Sequence, residues 1–189
     1  MNRTAAGMLL ALALGACASA PKLDFYTLDM TPSGRARPEL DLQVERFTVT
    51  GMLARDAIVI QHSATGIDLY ATERWAAGLG ELVERKLEAE LGPQRGGRPT
   101  LVVGGEVIEC QQADVPSGAE ARLGLVVTIR EAGAPRSTAL LVKTYRARRP
   151  AAAATAEAVV EALSRAAEDI AVEIAADASA LPVPGTGGN

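Results

Sequence analysis

Apolar residues recur along this chain with two different periods, and the changes of period divide it into elements. Leu40, Leu42 and Val44 alternate with Asp41, Gln43 and Glu45, which is the period-two pattern of a half-buried strand. Phe25-Tyr26-Thr27-Leu28 is a β-rich run before it, and Thr31–Pro38, with two prolines and a glycine, is a loop. Ala57–Gln61 is a further short strand, and Ile67–Tyr70 a weaker one after the turn at Ala64-Thr65-Gly66. The period then lengthens. Trp75, Leu79, Leu82, Val83, Leu87 and Leu91 recur at three and four, with Glu81, Glu84, Arg85 and Glu88 opposite them. A helix is therefore predicted from about Glu73 to Leu91, capped by Thr72 and stopped by Gly92-Pro93.

Three strands follow. Leu101–Cys110 is apolar at most positions of both faces, as a central strand covered on two sides would be. Leu123, Leu125, Val127 and Ile129 form one apolar face of the next. Thr138–Tyr145 returns after Gly133-Ala134-Pro135, a hairpin-length connection that makes the pair antiparallel. A last helix is predicted over 156–178 with Thr155 as its cap. Val160, Leu163, Ala167, Ile170 and Ile174 form its stripe, and Glu161 and Arg165 stand at i,i+4. Strands, helix, strands, helix make one α/β domain with a mixed sheet.

The amino terminus follows another logic. Arg3 and the apolar run Gly7–Leu14 read as an export signal, too short to span a bilayer and followed by no stop-transfer pattern. Gly15 and Ala16 run straight into Cys17, which resembles the lipobox of bacterial lipoproteins. That resemblance implies a diacylated Cys17 thiol, cleavage before Cys17 and an acylated new amine. More than one acyl chain gives stable anchoring, since each buried CH₂ contributes ~0.8 kcal/mol. The expected organisation is a signal peptide over 1–16, a tether over 17–22, a single domain over 23–178 and a disordered tail over 179–189.

Charge and chemistry narrow the function. Cleavage would remove only Arg3 among the charged residues and leave 18 basic against 23 acidic, which argues against a nucleic-acid binder. With Cys17 lipidated, Cys110 is the one remaining thiol, and its apolar stretch predicts a buried, inert group. His62 is the only histidine, and neither a G-x-S-x-G elbow nor a zinc ligand set accompanies it. It reads as a surface loop residue. Glu106 and Glu109 read as polar strand positions or partners for an arginine. Val103-Gly104-Gly105-Glu106 is not a phosphate loop, because no Gly-Lys-Ser/Thr follows. Arg146, Arg148 and Arg149 end a strand beside Pro150, either solvated or touching acidic headgroups or an acidic partner. No catalytic group, metal site or cofactor is expected.

Several pieces together resemble one family. A lipobox, a short tether and the strand Phe25-Tyr26-Thr27-Leu28-Asp29 are followed by Arg74-Trp75-Ala76, similar to the family's Tyr-Tyr-x-Leu and Arg-Trp-Ala-(Glu/Asp)-Pro-Leu elements. Phe25 stands for a tyrosine, Ala77-Gly78 for Glu-Pro, and Arg55-Asp56-Ala57 for Asp-Arg-Pro. The chain thus resembles the ABC-type transport auxiliary lipoproteins, the PqiC-like group. The resemblance implies a three-layer domain like the amino-terminal domain of TolB, with about five strands and helices on both faces. It also implies an outer-membrane lipoprotein at the periplasmic face, partnered by an MCE-domain protein and ABC transporter subunits in lipid transport, with a homo-oligomeric ring in at least one group. Ala18 lacks the aspartate that would retain such a protein in the inner membrane. Trp75 would be a core anchor. The alternative is a structural or assembly lipoprotein of the outer membrane with the same kind of domain.

Overall fold

The computed structural model describes residues 20–36, 38, 41–92, 100–135 and 137–182. Cys17, Leu40 and most of the carboxy-terminal tail lie outside them. Eight strands and two helices follow in the order β1 (Asp24–Tyr26), β2 (Leu42–Val44), β3 (Thr48–Val49), β4 (Ala57–Gln61), β5 (Ile67–Trp75), α1 (Leu79–Leu91), β6 (Leu101–Val115), β7 (Gly118–Glu131), β8 (Ala139–Pro150) and α2 (Ala156–Ala180).

All eight strands form one mixed sheet in the order β1-β5-β4-β6-β7-β8, with β2 and β3 also on β6. The strand number exceeds the expected five for a simple reason. β2, β3 and β4 are successive stretches of one path running parallel to β6, with Leu42 beside Leu101, Thr48 beside Glu106 and Val59 beside Gln111. The 3₁₀ turn Gly51–Ala54 separates the last two. The sheet is therefore six strands wide. β6, β7 and β8 form an antiparallel meander, and β6 turns into β7 through Pro116-Ser117, with Val115 opposite Gly118. Both strands are longer than their apolar patterns because they pair along their whole length.

The start of α1 differs from the sequence expectation. Residues 73–75, expected to open the helix, are the end of β5, and the helix begins at Leu79 with Gly78 as its cap. Their backbone groups are taken up by neighbours: Glu73, Arg74 and Trp75 lie beside Asp24, Phe25 and Tyr26 of β1, and the Trp75 amide donates to the Asp56 carbonyl at 2.7 Å. Tertiary pairing on both sides outweighs a modest local helix preference. Thr155 caps α2 as expected, its hydroxyl accepting from the Ala158 amide.

Both helices lie on one face of the sheet, where a helix on each face was expected. Alternation along β7 buries Ala119, Ala121, Leu123, Leu125, Val127 and Ile129 toward them. Leu79, Leu82, Val83, Leu87 and Leu91 of α1 and Val160, Leu163, Ala167, Ile170 and Ile174 of α2 close over the same core. The opposite face carries Glu120, Arg122, Val126, Thr128 and Arg130 on β7 and Val142, Thr144, Arg146 and Arg148 on β8, and no helix among the described residues covers it. Its polar residues explain why: a helix there would have to desolvate them.

Candidate partner-binding surface

The sheet leaves two features open to a partner, the helix-free face and the outer edge of β8. β8 is the last strand in the order, and among the described residues no backbone hydrogen bond runs along its outer side. It carries Lys143, Arg146, Arg148 and Arg149 and no acidic residue. Alternation divides these cations. Arg149 and Lys143 lie on the helix side, where Arg149 Nε donates to Asp169 at 2.6 Å and Lys143 Nζ donates to Asp177 at 2.6 Å. The Tyr145 hydroxyl donates to the same Asp177, and burial, then this carboxylate, holds the phenol well above its ordinary range. Arg146 and Arg148 point to the open face. Arg146 is a loose 3.9 Å from Glu109, and Arg148 stands beside Arg122. The three arginines thus belong to the strand itself, one fixed and two presented.

On the open face, Gly104, Gly105, Glu106, Val126, Thr128 and Arg130 line a cleft of about 300 Å³. The glycines lie inside β6 and make no turn or phosphate cradle. Gly105 has φ +156°, and a Cβ there would fall 1.9 Å from the Val126 carbonyl oxygen, so only glycine keeps β6 and β7 in register. Glu106 accepts from the Thr50 hydroxyl at 3.2 Å, and Arg130 donates to Glu45. Glu106 and Glu109 therefore have separate partners and no shared proton.

His62 follows β4 as an exposed residue. Its Nδ1 lies 3.0 Å from Asp114 and its Nε2 3.7 Å from Asp68, and the hydrogen bond to Asp114 raises its pKa above the ordinary histidine value. Gln112 donates to Asp114 and accepts from the Tyr70 hydroxyl, whose pKa burial pushes up to about 12. The neighbouring Ser63 hydroxyl accepts from the Gly66 amide, and among the described residues His62 contacts only the carboxylates of Asp114 and Asp68 through its ring nitrogens. Cys110 is buried, and burial pushes its thiol up to about 12, which leaves it inert at neutral pH. Trp75 is 4% exposed and sits in the core, at the end of a strand rather than on a helix stripe.

One constellation was not visible in the pattern of the sequence. Lys86 and Glu90 of α1 are fully buried side chains 2.8 Å apart, and Lys86 also reaches Glu168 of α2 at 3.3 Å. Lys86 donates to the Thr31 carbonyl, while the Ser33 amide and hydroxyl donate to Glu90. Burial pushes Glu90 upward, but Lys86 and Ser33 together hold its pKa below the ordinary value. The cluster pins the 29–36 loop against both helices. Its only signal was the i,i+4 spacing of Lys86 and Glu90, each next to a buried leucine of the stripe.

Comparison with known proteins agrees with this architecture. The sequence model of a family described as the ABC-type transport auxiliary lipoprotein component matches residues 26–175. The fold is similar to a crystal structure of an uncharacterized protein at TM-score 0.66 and 16% identity, covering 83% of this chain and 99% of that one. It is also similar to protein XCC0632 from Xanthomonas campestris, of family DUF330, at TM-score 0.63 and 16% identity, covering 82% and 92%. No curated protein sequence matches the chain.

Proposed function

The chain belongs to the ABC-type transport auxiliary lipoprotein family, and on that footing we propose that it is a lipid-anchored docking scaffold for an MCE-type lipid transport system. In this reading acylated Cys17 holds the domain at the periplasmic face of the outer membrane. The folded body receives an MCE-domain partner fed by an inner-membrane ABC transporter. The protein itself carries out no reaction. The family match over nearly the whole domain is the observation that carries the proposal. What the fold offers is a long uncovered strand edge and an uncovered sheet face. Both suit protein association through backbone pairing and side-chain contacts.

Complementation tests the role in cells. In a strain lacking the chain, the wild-type protein is expected to restore the envelope barrier to a hydrophobic dye. Cys17→Ser, exported to the same level, is expected to fail. Full rescue by the unanchored variant would remove the tether from the account.

A further inference from the structure

Exposed large apolar side chains are few in the described domain: Leu23, Phe25, Met52, Ile67 and Val142. Single ones scattered over a surface need no explanation. Two of the five, however, stand two residues apart at the start of β1, Leu23 just before it and Phe25 within it. Leu23 is 42% and Phe25 63% exposed, while Tyr26, the next residue, packs partly buried against the core. Phe25 contrasts with Phe47, the other phenylalanine, which is 2% exposed. Strand alternation places Phe25 opposite to Tyr26, on the side away from the helices, and exposed Leu23 leads directly into the strand.

Their position in the chain says what would cover them. Five residues separate Leu23 from Cys17, and the six extended steps between them reach at most ~22 Å. An acylated Cys17 therefore keeps Leu23 within that distance of the bilayer surface, and Phe25, eight steps away, within ~29 Å. Lys22 pairs with Asp24 at 2.8 Å, so the surrounding charge is balanced and no anionic lipid is required. β1 is also an edge strand, with only β5 beside it.

We propose that Leu23 and Phe25 insert into the lipid interface, so that β1 is a second, non-covalent contact that orients the domain on the membrane. The proposal rests on acylation of Cys17 as read above. An apolar group lying at the headgroup boundary gains most of its transfer free energy at shallow depth, ~5–10 Å. Two such residues bind weakly alone, but the tether supplies a high local concentration and makes the contact effectively intramolecular.

The test uses the acylated protein on zwitterionic phosphatidylcholine vesicles, with a nitroxide attached to Phe25→Cys, to Leu23→Cys, or to Ala64→Cys at the exposed β4–β5 turn as control. Cys110 is buried and takes no label. The expected result is that labels at 25 and 23 become shielded from an aqueous nickel chelate yet more accessible to dissolved oxygen, while the label at 64 does not change. Labels at 25 and 23 that stay as water-accessible as at 64, on protein that floats with the vesicles, overturn the proposal and leave the anchor intact. Shielding from both nickel and oxygen means that a second copy covers the pair, which also overturns it. Failure of the wild-type protein to float removes the anchor and the proposal together.

Discussion

Lys86 shows how a single side chain can hold distant parts of this chain together. Its ammonium is fully buried between Glu90, Glu168 and the Thr31 carbonyl. Replacing one partner of such a group strands the other without water or counter-charge. Lys86→Met is expected to lower the unfolding free energy by about 3 kcal/mol in urea titrations, and Lys86→Met with Glu90→Leu by less than the single change. Equal losses in both proteins would mean that the two charges are not coupled. His62 offers a pH readout with a definite sign. Its folded-state pKa is raised above 6.5, so the stability from its Asp114 contact is complete below the unfolded value and is lost as pH rises through the folded one. The stability difference between wild type and His62→Asn should shrink as pH rises from below 6.5 through the raised pKa. A flat difference over that range would show that the exposed pair contributes nothing. The sequence marked His62 as a loop residue but not its carboxylates, because Asp68 and Asp114 come from β5 and β6. Cys110 could be placed from its apolar neighbours alone.

At the level of elements, the apolar stripes of both helices and the Thr155 cap were legible because they depend on neighbours a few residues away. The junction of β5 and α1 was not. Trp75 lies at i,i+4 from Leu79 and completes a helical stripe, yet β1, whose Tyr26 is 49 residues earlier in the chain, fixes it as strand. The same limit applies to β6 and β8, whose polar ends become strand only by pairing with β7. Arg146, Arg148 and Arg149 therefore read as the end of a strand, when alternation within it separates them. The β6–β7 pair makes a sharp prediction about its glycines. Gly105→Ala must displace the Val126 carbonyl and is expected to cost about 3 kcal/mol or more, whereas a Cβ at Gly104 would meet Glu45 only at 3.4 Å. Thermal melts of Gly104→Ala and Gly105→Ala side by side check this. Similar melting temperatures would contradict the register.

For the whole molecule, the sheet defines a direction. β1 and β8 are opposite edges of six strands, roughly 24 Å apart at the usual strand spacing. If the domain is seated through its tether and β1, as we propose, the cationic β8 edge faces away from the lipid and stays open to a partner. The sequence resemblance carried the class of fold, and one core on one sheet follows from it. It did not carry the placement of both helices on one face, because period alone does not say which face of a sheet a helix covers. The central claim is that this anchored body docks an MCE-type transporter. The most direct measurement is a gentle-detergent pull-down of the acylated full-length protein, with co-purifying chains identified by mass spectrometry and Cys17→Ser run in parallel. The account predicts recovery of an MCE-domain protein or its ABC subunits with the acylated chain and a marked loss with Cys17→Ser. Recovery of only other outer-membrane or wall-bound proteins would contradict it and favour a structural lipoprotein.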